Sequence, residues 1–157
     1  MLLEAREVQA CGGGRPGIVP LLLSIAKATR SLNTIALRDI GLAPGQDRLI
    51  EALDPEDPMP GGVLASEIGV RPSTVSKMLD RLEREGFVQR INSKCDSRVT
   101  LVALTPKGVR MQEKIRDAWR WMSEDLVKAV PDDEVTGFAT GLTSACAVLQ
   151  RRIGRLR

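Results

Sequence analysis

A chain of 157 residues with 43% hydrophobic content is long and apolar enough for one domain with a buried core. Histidine is absent, which removes the commonest general base and the commonest metal ligand. Ser-His, Cys-His and His-ligated metal catalysis are therefore excluded, and the chain reads as a non-enzyme with no cofactor and no metal.

The net charge of +3 hides a segregation. Residues 71–110 carry nine Lys/Arg against four Asp/Glu and residues 150–157 carry four against none, whereas residues 1–70 carry six against nine and residues 111–149 four against seven. A basic segment in an otherwise mildly acidic chain is the electrostatic footprint of a nucleic-acid reader. Pro20, Ser24, Lys27 and Arg30 interrupt the most hydrophobic stretch before it reaches the roughly 18 residues a membrane span requires. Glu4, Arg6 and Glu7 occupy the place of a signal peptide's apolar segment, so a cytoplasmic protein with no membrane partner is expected. Cys11, Cys95 and Cys146 are too irregularly spaced for a disulfide framework or a zinc site.

In chain order, residues 1–17 end in Gly12-Gly13-Gly14, Pro16 and Gly17 and read as a flexible arm. Residues 18–40 repeat apolar positions at Leu22, Ile25, Ala26, Thr29, Leu32, Ile35 and Ala36, a long amphipathic helix closed by Gly41. Pro44 is taken as the first position of a second helix carrying Leu49, Ile50 and Leu53, and the proline-rich run Asp54 to Gly62 as the loop that closes it. Val63 to Ile68 forms a short helix, Gly69 breaks it, and Pro72 opens another with Val75, Met78, Leu79 and Leu82 on its buried stripe and Gly86 at its end. Phe87–Ile91 and Val99–Leu104, separated by a polar loop from Asn92 to Ser97, predict a β-hairpin. Thr105-Pro106 caps and starts a long helix through Met111, Ile115, Ala118, Met122 and Leu126. Pro131 interrupts the pattern, and a last helix begins near Asp132, Asp133 and Glu134, with Val135, Phe138, Leu142, Ala145, Leu149 and Ile153 along one stripe. The predicted fold is mainly α with a small β-hairpin wing (α+β). A winged helix-turn-helix module at 42–104 is flanked by helices at 18–40 and 105–157 that serve dimerisation.

The second helix of a helix-turn-helix enters the major groove, about 12 Å wide, where short polar and basic side chains reach base edges. Ser73, Thr74 and Lys77 are assigned to base-edge or water-mediated contacts, Ser76 to base or phosphate, and Arg81 to phosphate. The competing reading is that Ser and Thr only cap this helix. In the hairpin loop, Lys94 and Arg98 are basic, and an arginine at a wing tip fits the strongly negative minor groove. Asp96 is repelled by phosphate, so its role is support: it orients Arg98 or holds the loop.

The run Ser73-Thr74-Val75-Ser76-Lys77-Met78-Leu79-Asp80-Arg81-Leu82-Glu83-Arg84-Glu85-Gly86-Phe87-Val88, then Asp96-x-Arg98, then Leu104-Thr105-Pro106-x-Gly108, closely resembles the MarR family of multiple-antibiotic-resistance-type regulators. The resemblance covers about Leu42 to Met111. It implies a homodimer with interlocking terminal helices, a recognition helix at Ser73 to Glu85, an Asp96/Arg98 wing, a double-stranded DNA operator of pseudo-palindromic sequence, and repression relieved by a small aromatic or lipophilic effector. The residues that would hold that effector are not identified; Arg30, Trp119 and Trp121 are weighed for it and read instead as ion-paired or packing residues. Ala43 departs from the usual capping Thr or Ser before Pro44, and the absence of tyrosine prevents a tyrosine-assisted cysteine sensor at Cys11. Three alternatives stand beside the repressor. One is a winged-helix module for protein interaction or non-specific architectural DNA binding. Another is a redox-responsive regulator in which oxidation of Cys95 displaces Arg98. An RNA or single-strand binder is disfavoured by the scarcity of aromatics.

Overall fold

The computed structural model describes residues 17–93 and 99–155. Two compact units divide the chain, one up to Arg116 and one from Asp117. The expected arm up to Pro16 with Cys11, and the wing-tip residues Lys94, Cys95, Asp96 and Arg98, lie outside the described residues.

The first unit opens with α1 (Ile18–Asp39). Only Leu37, near its C-terminal end, is buried; Ile25, Leu32 and Ile35 of the predicted stripe are exposed. α2 (Gln46–Glu51) begins two residues later than expected. Pro44 does not start this helix. Pro44 and Gly45 are the central residues of a turn closed by Gln46 N–H donating to Ala43 O at 3.1 Å, and Gly45 has φ 91° and ψ −21°. Proline followed by a residue at positive φ is the signature of a type II turn, and only a residue such as glycine adopts that φ without cost. The weak cap expected of Ala43 is compensated by Gln46, whose Oε1 accepts the Ala43 N–H at 2.7 Å.

The segment Asp54–Gly62 is not merely a loop: it contains β1 (Met59–Pro60) and the start of α3 (Gly61–Ile68). β1 pairs antiparallel with β3 (Thr100–Leu104), which also pairs with β2 (Val88–Asn92), so the expected hairpin is a three-stranded sheet of order β1-β3-β2. Met59 faces Val102, and Val88 faces Leu104. Pro60 is tolerated because β1 is an edge strand.

α3 ends in Gly69 at φ 73°, with Val70 N–H donating to Ala65 O at 3.0 Å, and α4 (Pro72–Arg84) follows with Pro72 at its first turn. Val75, Leu79 and Leu82 of α4 pack into a core with Leu37, Leu49, Ile50, Leu64, Phe87, Val88, Val102, Leu104 and Ile115. Gln112 of α5 (Pro106–Lys128) is 1% exposed and donates through Nε2 to Ile50 O at 2.8 Å and Leu53 O at 2.7 Å, which gives the carbonyls at the end of α2 a buried side-chain donor.

The second unit contains the rest of α5 and α6 (Val135–Gly154). No residue of α6 is buried, although Phe138, Leu142, Leu149 and Ile153 repeat along one stripe as expected. Among the described residues no helix is long and apolar enough to cross a membrane.

Candidate nucleic-acid interface

The face that α4 turns outward is decided by its buried stripe. With Val75, Leu79 and Leu82 inside, Ser73, Thr74, Ser76, Lys77 and Arg81 are all exposed. Ser73 and Thr74 do not cap the helix. The N-cap is Arg71, in extended conformation and without a side-chain cap hydrogen bond, and its carbonyl accepts Thr74 N–H at 2.9 Å. Among the described residues, Ser73, Thr74, Ser76 and Lys77 make no side-chain hydrogen bond or ion pair. Four donors presented without internal partners suit an outside acceptor, because nothing has to be broken to engage them. Arg81 differs, since its Nε is paired with Glu85 Oε1 at 2.8 Å one turn on.

Ser73, Thr74, Lys77 and Arg81 also line a groove of about 260 Å³ whose other wall is Ala43, Pro44 and Gln46. The Pro44–Gly45 turn therefore stands beside the N-terminal half of α4. Met78 ties the two together: a Cβ on Gly45 would lie 3.1 Å from Met78 Cε. Ser76 lies outside this groove, on the flank of α4 nearer β2.

Three side chains fix how the recognition helix is held, and the sequence reading missed what they do. Thr105 Oγ1 donates to Gly86 O at 2.6 Å and accepts Gly108 N–H at 3.1 Å, so the residue that caps α5 also grips the turn ending α4. Lys107 Nζ donates to Glu85 O at 2.7 Å and stands 4.6 Å from the centre of the Phe87 ring, which adds a cation at the negative end of α4. The Leu104-Thr105-Pro106-x-Gly108 signature, quoted above as a family resemblance, is physically the clasp between the recognition helix and α5.

Arg90 is the third. From β2 it reaches α4, where Nη2 pairs with Asp80 Oδ1 at 2.6 Å and Nη1 with Glu83 Oε2, while its backbone N–H donates to Glu83 Oε1 at 3.2 Å. The hydrogen bond that the guanidinium donates to Asp80, with the charges of Glu83 and Asp80, holds its pKa above the ordinary value against the desolvation that lowers it. In the sequence Arg90 registered only as one of the basic residues of its segment; its partners lie seven and ten positions away, beyond helical spacing.

The MarR family model matches residues 43–100, the span that holds the turn, α2, α3, α4 and β2. Over that span the chain is similar to the MarR family. The relatives it matches are named as HTH-type transcriptional regulators. The HTH-type transcriptional regulator YcgE of Bacillus subtilis is 27% identical over 143 residues, covering 88% of this chain and 90% of its own length. Among solved structures, FabT of Streptococcus pneumoniae in complex with DNA superposes with a TM-score of 0.76 at 23% identity, over 85% of this chain and 96% of that one. MepR of S. aureus in complex with DNA gives 0.74 at 20% identity, over 86% and 99%. At these identities the two structures establish the fold, and the winged helix read from the residues is the one they share.

Proposed function

We propose that this chain is a MarR-type DNA-binding transcription regulator, a homodimeric repressor of a pseudo-palindromic operator that a small aromatic or lipophilic effector releases. One observation carries the DNA reading: the exposed N-terminal half of α4 presents Ser73, Thr74, Ser76 and Lys77 with no described internal partner. Short hydroxyls and a lysine at this end of a recognition helix match base edges and phosphates in the major groove. Arg81 supplies phosphate contact, Lys94 adds a basic DNA contact from the wing, and Arg98 carries the minor-groove contact with Asp96 as its support. FabT and MepR, whose structures are titled as complexes with DNA, support the same class of ligand here.

The dimer is supported by two apolar faces that one chain leaves uncovered, Ile25, Leu32 and Ile35 on α1 and Phe138, Leu142, Leu149 and Ile153 on α6. Apolar stripes of this extent on a water-soluble regulator are the mark of an interface. A two-fold dimer sets its recognition helices one helical turn of DNA apart, roughly 34–36 Å, which demands a near-palindromic site. Repression and release follow the resemblance.

The test is a duplex enriched from a random-sequence library by the full-length protein, with affinity then followed against salt. A dimeric reader binds the enriched duplex at least about a thousandfold more tightly than a scrambled one at physiological salt. Equal affinity for both, with the same steep salt slope, rules the repressor out in favour of a non-specific binder. Thermal-shift screening of small aromatic acids identifies the effector as the compound that both stabilises the protein and frees the duplex.

A further inference from the structure

The carboxylates of α4 pose a problem for a DNA reader, and Asp80 poses it most sharply. It lies four residues after Ser76 and three after Lys77, so at 3.6 residues per turn it shares their exposed face. Its side chain is 56% open to solvent. A bare carboxylate there would be turned toward the phosphates of any duplex seated on the helix. Glu83, 37% open, adds a second negative charge one turn further on. Both are met by a single guanidinium from the neighbouring sheet, that of Arg90. Arginine suits this bridge because its planar fork carries several donors in fixed directions, which a lysine does not.

We propose that Arg90 is a positioning residue of the DNA-reading face: it latches strand β2 of the wing to the recognition helix and offsets part of the negative charge of Asp80 and Glu83 beside the bases' contacts. The inference rests on the DNA-reading function proposed above. Arg90 is spent on these two carboxylates and is not itself a DNA contact. The latch also joins the two parts expected to enter DNA, α4 and the wing that β2 leads into, so that they keep one relative aim. Ion pairs this exposed contribute little to folding stability, so the role is visible in recognition far more than in melting.

The experiment uses the full-length protein and the duplex enriched by the wild type, with a scrambled duplex as control. R90Q is expected to lower affinity for the enriched duplex about tenfold while shifting the melting temperature by no more than about 3 °C. The triple variant R90Q/D80N/E83Q, in which no uncompensated carboxylate remains, recovers the part of that loss that the bare carboxylates cause, the remainder being the broken latch. A purely structural arginine would show no such rescue. R90Q binding like the wild type overturns the proposal, and so does a loss that the triple variant fails to restore. If R90Q does not fold, D80N/E83Q with Arg90 in place tests the latch: the ratio of enriched to scrambled affinity falls several-fold, and an unchanged ratio overturns it. A wild-type protein that enriches no sequence sinks the DNA-reading function itself, which is distinct from wild-type discrimination that Arg90 substitutions leave untouched.

Discussion

Gly108 and Phe87 are in a contact that admits no side chain: a Cβ on Gly108 would lie 2.1 Å from the Phe87 carbonyl oxygen and 3.0 Å from Leu104 Cδ2. That carbonyl also accepts Thr105 N–H at 3.0 Å, so it cannot withdraw without loosening the clasp between α4 and α5. Gly108→Ala is therefore expected to destabilise the fold by about 2 kcal/mol or more, read as a lower midpoint in urea denaturation. A neutral result would mean that the first turn of α5 is free to shift.

Gln112 makes a second test of the scaffold. Its Nε2 serves two carbonyls, Ile50 and Leu53, in a site from which water is excluded. Gln112→Leu keeps much of the volume but takes the side-chain donor from both carbonyls, leaving Ile50 O with only the backbone N–H of Leu53 at 3.3 Å, and a loss of about 2 kcal/mol is expected by the same denaturation measurement. The α2 end held by Gln112 is opposite the turn that walls the groove beside α4, so a weakened α2 also reduces DNA affinity more than an equally destabilising change elsewhere.

On the reading face the expectation is reversed. Lys77→Ala removes an exposed side chain with no described partner and should leave the melting temperature unchanged, yet weaken binding to the enriched duplex by about 1–3 kcal/mol in fluorescence anisotropy. Arg98→Ala, in the wing outside the described residues, is expected to weaken binding by a similar amount, about 1–3 kcal/mol, with the dimer intact by sedimentation. Unchanged affinity for either variant removes that residue from the interface.

What the sequence made legible follows from range. The presence and order of the main helices and the outward face of α4 came from spacings of three and four residues, and the wing strands from short runs of β-formers. Thr105 was read as a cap because capping is local. Pro44 was misread because a proline opens a helix and a type II turn equally well, and the positive φ of Gly45 decides between them. β1 was hidden because two residues, one a proline, carry no periodicity, and their pairing with Val102 and Leu101 joins segments some forty residues apart. Arg90's grip on Asp80 and Glu83 was invisible for the same reason, being a contact between a strand and a helix set by tertiary packing.

The uncovered stripe of α6 makes the dimer testable at one residue. Leu142, 40% exposed in the single chain, belongs to that stripe. Leu142→Arg places a charge in the proposed interface and is expected to shift the protein toward the monomer in sedimentation velocity, with DNA affinity falling by at least about tenfold as the second half-site contact is lost. A dimer that survives this change would place the interface elsewhere.

Hydroxyl-radical footprinting of the wild-type protein on its enriched duplex tests the central claim most directly. A winged-helix dimer is expected to protect two equivalent patches related by two-fold symmetry, their centres about 10 base pairs apart, with further minor-groove protection from the wings on the outer flanks. Uniform, sequence-independent protection, or a single asymmetric patch, would contradict it.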